Sequence, residues 1–102
     1  MKEQNIQEIK FLEQGLQNML FQKQAFQMEL SETQDALKEL ENSKDDVFKI
    51  IGQIMVKFEK LKMKEEMINK IKIFELRIKN LEKQEDSLSS RMEKMRDDSL
   101  KV

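Results

Sequence analysis

Apolar residues recur three and four positions apart through the first part of the chain, at Ile9, Leu12, Leu16, Met19, Phe26, Leu30, Leu37 and Leu40, with Lys23 and Thr33 filling the gaps. That spacing is a heptad seam, Ile9 at position a and Leu12 at d, and it marks a helix that packs along one stripe. A second seam runs Met67, Ile71, Phe74, Ile78, Leu81, Leu88, Met92 and Met95, with Glu85 as its polar member. No proline interrupts either series, and Gly15 weakens the first helix by about 1 kcal/mol. The pattern predicts helices over about 4–45 and 60–100 within one domain spanning 1–102.

The two seams fit each other. In an antiparallel coiled coil, a residues of one helix pack against d residues of the other. Ile9 with Met95, Leu12 with Met92, Leu16 with Leu88, Phe26 with Ile78, Leu30 with Phe74, Thr33 with Ile71 and Leu37 with Met67 are each equidistant along the chain from Gly52. A fold-back that turns at Gly52 brings all of these layers together. In that register Lys23 and Glu85 fall within about one turn of each other, so they either pair across the seam or each reach out to water.

Between the helices lies VFKIIGQIMVKF, from Val47 to Phe58. It is short, apolar and rich in β-branched residues, and Gly52 at the first central position suits a two-residue type II′ turn. The expected strands are Val47–Ile51 and Ile54–Phe58. One face would carry Val47, Ile51, Ile54, Val56 and Phe58, and the other Phe48, Ile50 and Met55. A lone two-stranded hairpin is marginal in water, and its free edges invite pairing. Val47, Phe48, Ile50, Ile51, Gly52, Ile54, Met55, Val56 and Phe58 are therefore the candidate oligomerisation residues. The fold expected is mainly α: a long antiparallel two-helix coiled coil joined by a central β-hairpin that oligomerises into a small barrel.

Composition narrows the function. Of the 102 residues, 38% are hydrophobic and 38% charged, which suits a narrow seam better than a compact core. Without His or Cys there is no ordinary nucleophile–base pair, imidazole ligand, thiolate site or disulfide. The carboxylate pairs Glu65-Glu66, Asp45-Asp46 and Asp97-Asp98 read as solvated helix surface, so the chain is not expected to be an enzyme or to hold a metal or cofactor. Lys and Arg number 19 against 20 Asp and Glu, with the signs interleaved, which leaves no footprint for nucleic acid. Even the cluster Lys57, Lys60, Lys62 and Lys64 has Glu59, Glu65 and Glu66 among it. No stretch has the roughly 20 apolar residues that span a bilayer, and no membrane partner is expected. A cytoplasmic location is the expectation.

A helix, one β-hairpin and a returning helix is also the plan of beta-type prefoldin subunits of the archaeal kind, and particular segments resemble that family. QKQAFQMELSETQDALKELE at 22–41 is similar to its first-helix pattern. DDVFKIIGQIMVK at 45–57 resembles its hairpin, and ELRIKNLEKQEDSL at 75–88 its second helix. The residue after Gly52, often Pro or Asn in the family, is Gln53, which leaves the turn type open. The resemblance implies a hexamer of two alpha-type and four beta-type subunits, with the hairpins forming the body and the coils projecting from it. It further implies an ATP-independent holdase that binds unfolded proteins at the coil tips and delivers them to a group II chaperonin.

Candidate client-binding residues fall in two groups. Ile6, Ile9, Leu12, Met92 and Met95 lie where both termini meet and the coil frays. Phe11, at c, and Phe21 and Met28, at f, face away from the seam, where the coil itself gives them no partner. Methionine suits adaptable binding surfaces. The alternative function is a structural coiled-coil oligomerisation protein that binds one specific partner.

Overall fold

The computed structural model describes residues 3–100, and the side chains of residues 3–98. Helix α1 spans Glu3–Asn42, strands β1 and β2 span Val47–Ile51 and Ile54–Phe58, and helix α2 spans Lys60–Leu100. The chain divides into two compact units, one of the residues up to Phe26 with those from Arg77 onward, the other of Gln27–Leu76.

In the first unit the seam residues form the buried stripe. Ile9, Leu12, Ile78 and Leu81 are buried, and Leu16, Met19, Phe26, Leu88, Met92 and Met95 are half-buried. A Cβ at Gly15 would lie 3.7 Å from Leu88 Cδ1, and the Arg77 guanidinium lies 5.4 Å from the Phe26 ring centroid. Numbers thus fall along α2 as they rise along α1, beside the expected layers Leu16–Leu88 and Phe26–Ile78. Glu8–Arg91 at 2.9 Å and Glu13–Arg96 at 2.7 Å flank the stripe. Both pairs are exposed, so each contributes about 0–1 kcal/mol.

Lys23 and Glu85 do pair across the seam. The ammonium lies 2.8 Å from Glu85 Oε1, with the two side chains 19% and 21% exposed. That oxygen is buried and has no hydrogen bond of good geometry, so charge attraction is what compensates it. Direct contact with the Glu85 carboxylate raises the Lys23 pKa above its ordinary 10.5; burial opposes the rise, and the charges of Glu85, Glu82 and Asp86 add to it. A group with a raised folded pKa stabilises fully below the unfolded value and loses that contribution as pH climbs through the folded one. Above pH 10.5, the melting temperature of the parent should therefore fall more steeply than that of Lys23→Met. Parallel declines in a thermal melt series would show that the pair carries no such linkage.

In the second unit Leu40 and Met63 are buried, and Leu30, Leu37, Met67, Ile71 and Phe74 are half-buried. Thr33 fits at a seam position because its hydroxyl donates to the Glu29 carbonyl one turn back, at 2.7 Å. Helix α1 stops at Asn42, short of the expected residue 45, and the local chemistry explains why. The Ser43 N–H closes a tightened last turn onto the Leu40 carbonyl at 3.3 Å, and Ser43 Oγ accepts from the Asp45 N–H at 3.3 Å. Asn, Ser and Asp side chains compete with helical hydrogen bonds in this way. The last turn of α1 has no basic residue of its own, and the Lys60 ammonium supplies one by donating to the Ser43 carbonyl at 2.7 Å. Helix α2 begins as the Glu59 carbonyl accepts from the Met63 N–H at 3.0 Å. No helix among the described residues is long and apolar enough to cross a membrane.

The two glycines make opposite demands. Gly52 has φ +62° with nothing within 4 Å of an added Cβ, so Gly52→Ala strains the backbone without a clash. It should cost roughly 1–2 kcal/mol. Gly15 is helical, and an alanine there meets Leu88 at ordinary contact distance, so Gly15→Ala should stabilise by about 1 kcal/mol. Chemical denaturation at one fixed chain concentration checks both; shifts of the same sign would contradict this account of the turn and the helix.

Candidate functional site

β1 and β2 pair antiparallel with Val47 opposite Phe58, Phe48 opposite Lys57, Lys49 opposite Val56, Ile50 opposite Met55 and Ile51 opposite Ile54. Of the turn residues only Gly52 has positive φ, which matches a type II′ turn and excludes type I′. Cross-strand partners share a face, so Val47, Lys49, Ile51, Ile54, Val56 and Phe58 lie on one side. Phe48, Ile50, Met55 and Lys57 lie on the other.

The two faces are treated differently. Lys49 donates to both carboxylate oxygens of Glu66 on α2, at 3.2 and 3.0 Å, and its ammonium lies 5.1 Å from the Phe58 ring centroid. Val47, Lys49 and Phe58 are accordingly half-buried. Towards the turn the same face opens, and Ile51, Ile54 and Val56 are exposed. On the opposite face Phe48, Ile50 and Met55 are all exposed, Ile50 at 70%. The sheet has two strands among the described residues, so each strand has an outer edge whose backbone groups pair with no further strand there. Exposed apolar side chains next to free strand edges are a surface for strand addition.

The candidate client residues separate in the structure. Phe11, Phe21 and Met28 are exposed, Phe11 at 75%. Ile9 and Leu12 are only 7% and 4% exposed, because both belong to the seam. Ile6, Met92 and Met95 are half-buried.

Sequence reasoning passed over other positions. Leu61 is 68% exposed just after the hairpin and Leu20 is partly exposed, while Met63 is buried although it lies off the a and d positions. An apolar residue off the heptad beside the strand run was the available signal for Leu61. The Lys49–Glu66 bridge had none, since its partners lie in different elements. Among the described residues no three carboxylates come together as a metal ion would need.

Paired antiparallel helices joined by one short β-hairpin with exposed apolar side chains define a coiled-coil hairpin protein. A model of the family described as prefoldin subunit matches residues 3–101. The chain belongs to the prefoldin subunit family, a family of chaperone subunits, as a beta-type member. It is 38% identical over 58 residues to a prefoldin subunit beta of Methanococcus maripaludis, covering 57% of this chain and 51% of that one. A second, from Methanococcus vannielii, is 37% identical over 60 residues, covering 59% and 53%. The matched stretch thus spans about half the length of these relatives. The crystal structure of the prefoldin beta subunit from Thermococcus strain KS-1 superposes with a TM-score of 0.87 at 32% identity, covering 98% of this chain and 92% of that one. The beta2 subunit from the same strain gives a TM-score of 0.75 at 17% identity over 85% and 95% of the two chains, a likeness of fold.

The hairpin surface makes a direct prediction. Ile50 and Ile54 lie on opposite faces, and both are mostly exposed within the chain, so replacing both by Lys should leave helicity nearly unchanged. If partners bury them, each loses about 1.5–3 kcal/mol of apolar burial and places a charge in the interface. Sedimentation should show loss of the parent oligomer. Retention of that oligomer would show that the hairpin is not the interface.

Proposed function

We propose that this chain is a subunit of an ATP-independent holdase. It assembles through its hairpin with an alpha-type prefoldin subunit and other beta-type copies, as a hexamer of two alpha and four beta. It holds unfolded proteins on apolar side chains of its coil and passes them to a group II chaperonin in the cytoplasm. The observation that carries the reading is the apolar hairpin, exposed on both faces towards its turn, in a chain that is 38% charged. Family membership supports the chaperone role, and the absence of His and Cys is in keeping with work done by binding rather than by covalent chemistry.

For client contact the exposed set Phe11, Phe21 and Met28 has better support than the closed seam residues. These side chains contribute little to the chain's own packing, so their loss should not unfold it. Changing all three to Ser should alter stability by no more than about 0.5 kcal/mol each. Suppression of aggregation of a denatured enzyme should fall markedly while the oligomer stays whole. Deleting 1–10 with 97–102 is the contrasting variant. Should that deletion abolish protection while the triple variant protects like the parent, clients are held at the termini and the outer-face assignment fails.

A further inference from the structure

From the Ile9–Met95 layer to the Leu37–Met67 layer the charged members are of opposite sign, Lys23 on α1 and Glu85 on α2. Lys64, which continues the α2 series opposite Leu40, meets Glu41 at 3.4 Å with its side chain 43% exposed. Lys23 is equidistant from Gly52 with Leu81, and Glu85 with Met19, so the two charges sit in neighbouring layers. The structure joins them at 2.8 Å, largely shielded from water.

The remaining layers are Ile, Leu, Met, Phe and one Thr, and these discriminate weakly between partners. A chain with two such seams could pair α1 with α1 of a second copy, or α2 with α2. In a parallel α1–α1 coil, a positions meet each other and Lys23 would face its own copy. In the matching α2–α2 coil, Glu85 would face Glu85. No pairing of α1 with α1, in either direction, offers Lys23 a carboxylate within the seam. A shift of α2 by one heptad one way places Lys23 level with Phe74 and Glu85 level with Leu12, eleven residues apart along α1. The opposite shift places Lys23 level with Leu88 and Glu85 level with Phe26, still neighbouring layers. Helical side chains lean towards their own N-termini, so there the two lean apart, whereas in the native register they lean together. None of these alternatives joins Lys23 to Glu85 as the native register does, so each gives up the contact that compensates the two charges.

We propose that Lys23 and Glu85 are the specificity determinants of the coil, directing α1 to α2 in this one register and away from the same helix of a second copy. The pair acts by penalising wrong partners, not by tightening the right one. Replacing both residues with Leu should therefore keep or raise the melting temperature and still degrade pairing, a combination that a purely stabilising role would not produce. The inference holds whether or not the chain acts as a chaperone, because its readout is helix pairing and not client protection.

The chain has no cysteine, so single reporters are clean. Full-length protein carrying Leu16→Cys, and separately Leu88→Cys, is refolded from denaturant under mild oxidation, and chain-to-chain disulfide is read on a non-reducing gel. A third chain carrying both changes reads the pairing of α1 with α2 within one chain. In the Lys23→Leu/Glu85→Leu background, the chain-to-chain product of each single reporter should rise several-fold, and the within-chain product of the double reporter should fall. In the exchanged background, Lys23→Glu/Glu85→Lys, all three should return to parent levels. If the Leu background gives no more chain-to-chain product than the parent, or if the exchanged pair behaves like the Leu pair, the proposal is overturned.

Discussion

A pair of helices packed on each other buries one stripe of each and leaves the remaining surface to solvent or to other chains. Every other feature of this protein follows from that limit. Its most buried positions, Ile9, Leu12, Ile78 and Leu81 in one unit and Leu40 and Met63 in the other, are few, and none is completely enclosed. An ion pair such as Lys23–Glu85 can persist in the stripe because the long side chains still touch water at their edges while their charged groups meet. Large apolar residues off the stripe cannot be sheltered by the chain itself. Phe11, Phe21, Met28, Ile73 and Leu76 remain exposed for that reason.

The hairpin meets the same limit in a sharper form. β-branched residues around a glycine with φ +62° make two strands with a tight turn, and two strands have no interior. The chain anchors the base of one face, where Lys49 grips Glu66 and lies over Phe58, and the other carries only the exposed Lys57–Asp46 pair at 3.6 Å. Lys49 among apolar neighbours would be a poor residue to bury in a contact with another chain. Its tie to α2 directs that part of the face inward and leaves Phe48, Ile50 and Met55, with the turn residues Ile51 and Ile54, as the outward apolar surface.

Much of this was legible because the relevant signals are local or periodic. The heptad spacing located both stripes, and the equidistance of their layers from Gly52 located the turn. Strand alternation then assigned each hairpin side chain to its face. What the sequence left hidden depends on contacts between elements. The end of α1 at Asn42 is set by Ser43 and by a lysine that arrives from α2, and the hold on the hairpin is set by Glu66. Lys23 and Glu85 were two readings at the level of sequence, pairing or reaching to water, because spacing alone cannot choose a rotamer; the structure chooses pairing. Ile9 and Leu12 looked available near a terminus, yet seam membership governs burial more strongly than position along the chain.

Contiguity separates the two kinds of exposed surface. On the hairpin, Phe48, Ile50, Ile51, Ile54, Met55 and Val56 are close neighbours with free backbone edges beside them. A partner that adds a strand there gains hydrogen bonds and apolar burial together, which favours a defined, saturable contact. On α1, Phe11, Phe21 and Met28 are side chains spaced along the helix among mostly polar surface residues such as Glu13, Gln17, Asn18 and Gln24, with Leu20 beside Phe21. None alone offers more than the burial of one side chain, about 1.5–3 kcal/mol at best, too little to hold a partner against the entropy of association. Such contacts become useful only when several are presented at once by copies held together, so that weak binding events sum through effective concentration. In the function proposed for this chain the scattered surface therefore depends on the contiguous one: without assembly at the hairpin, the exposed residues of the coil would be isolated apolar side chains with no means of retaining an unfolded chain.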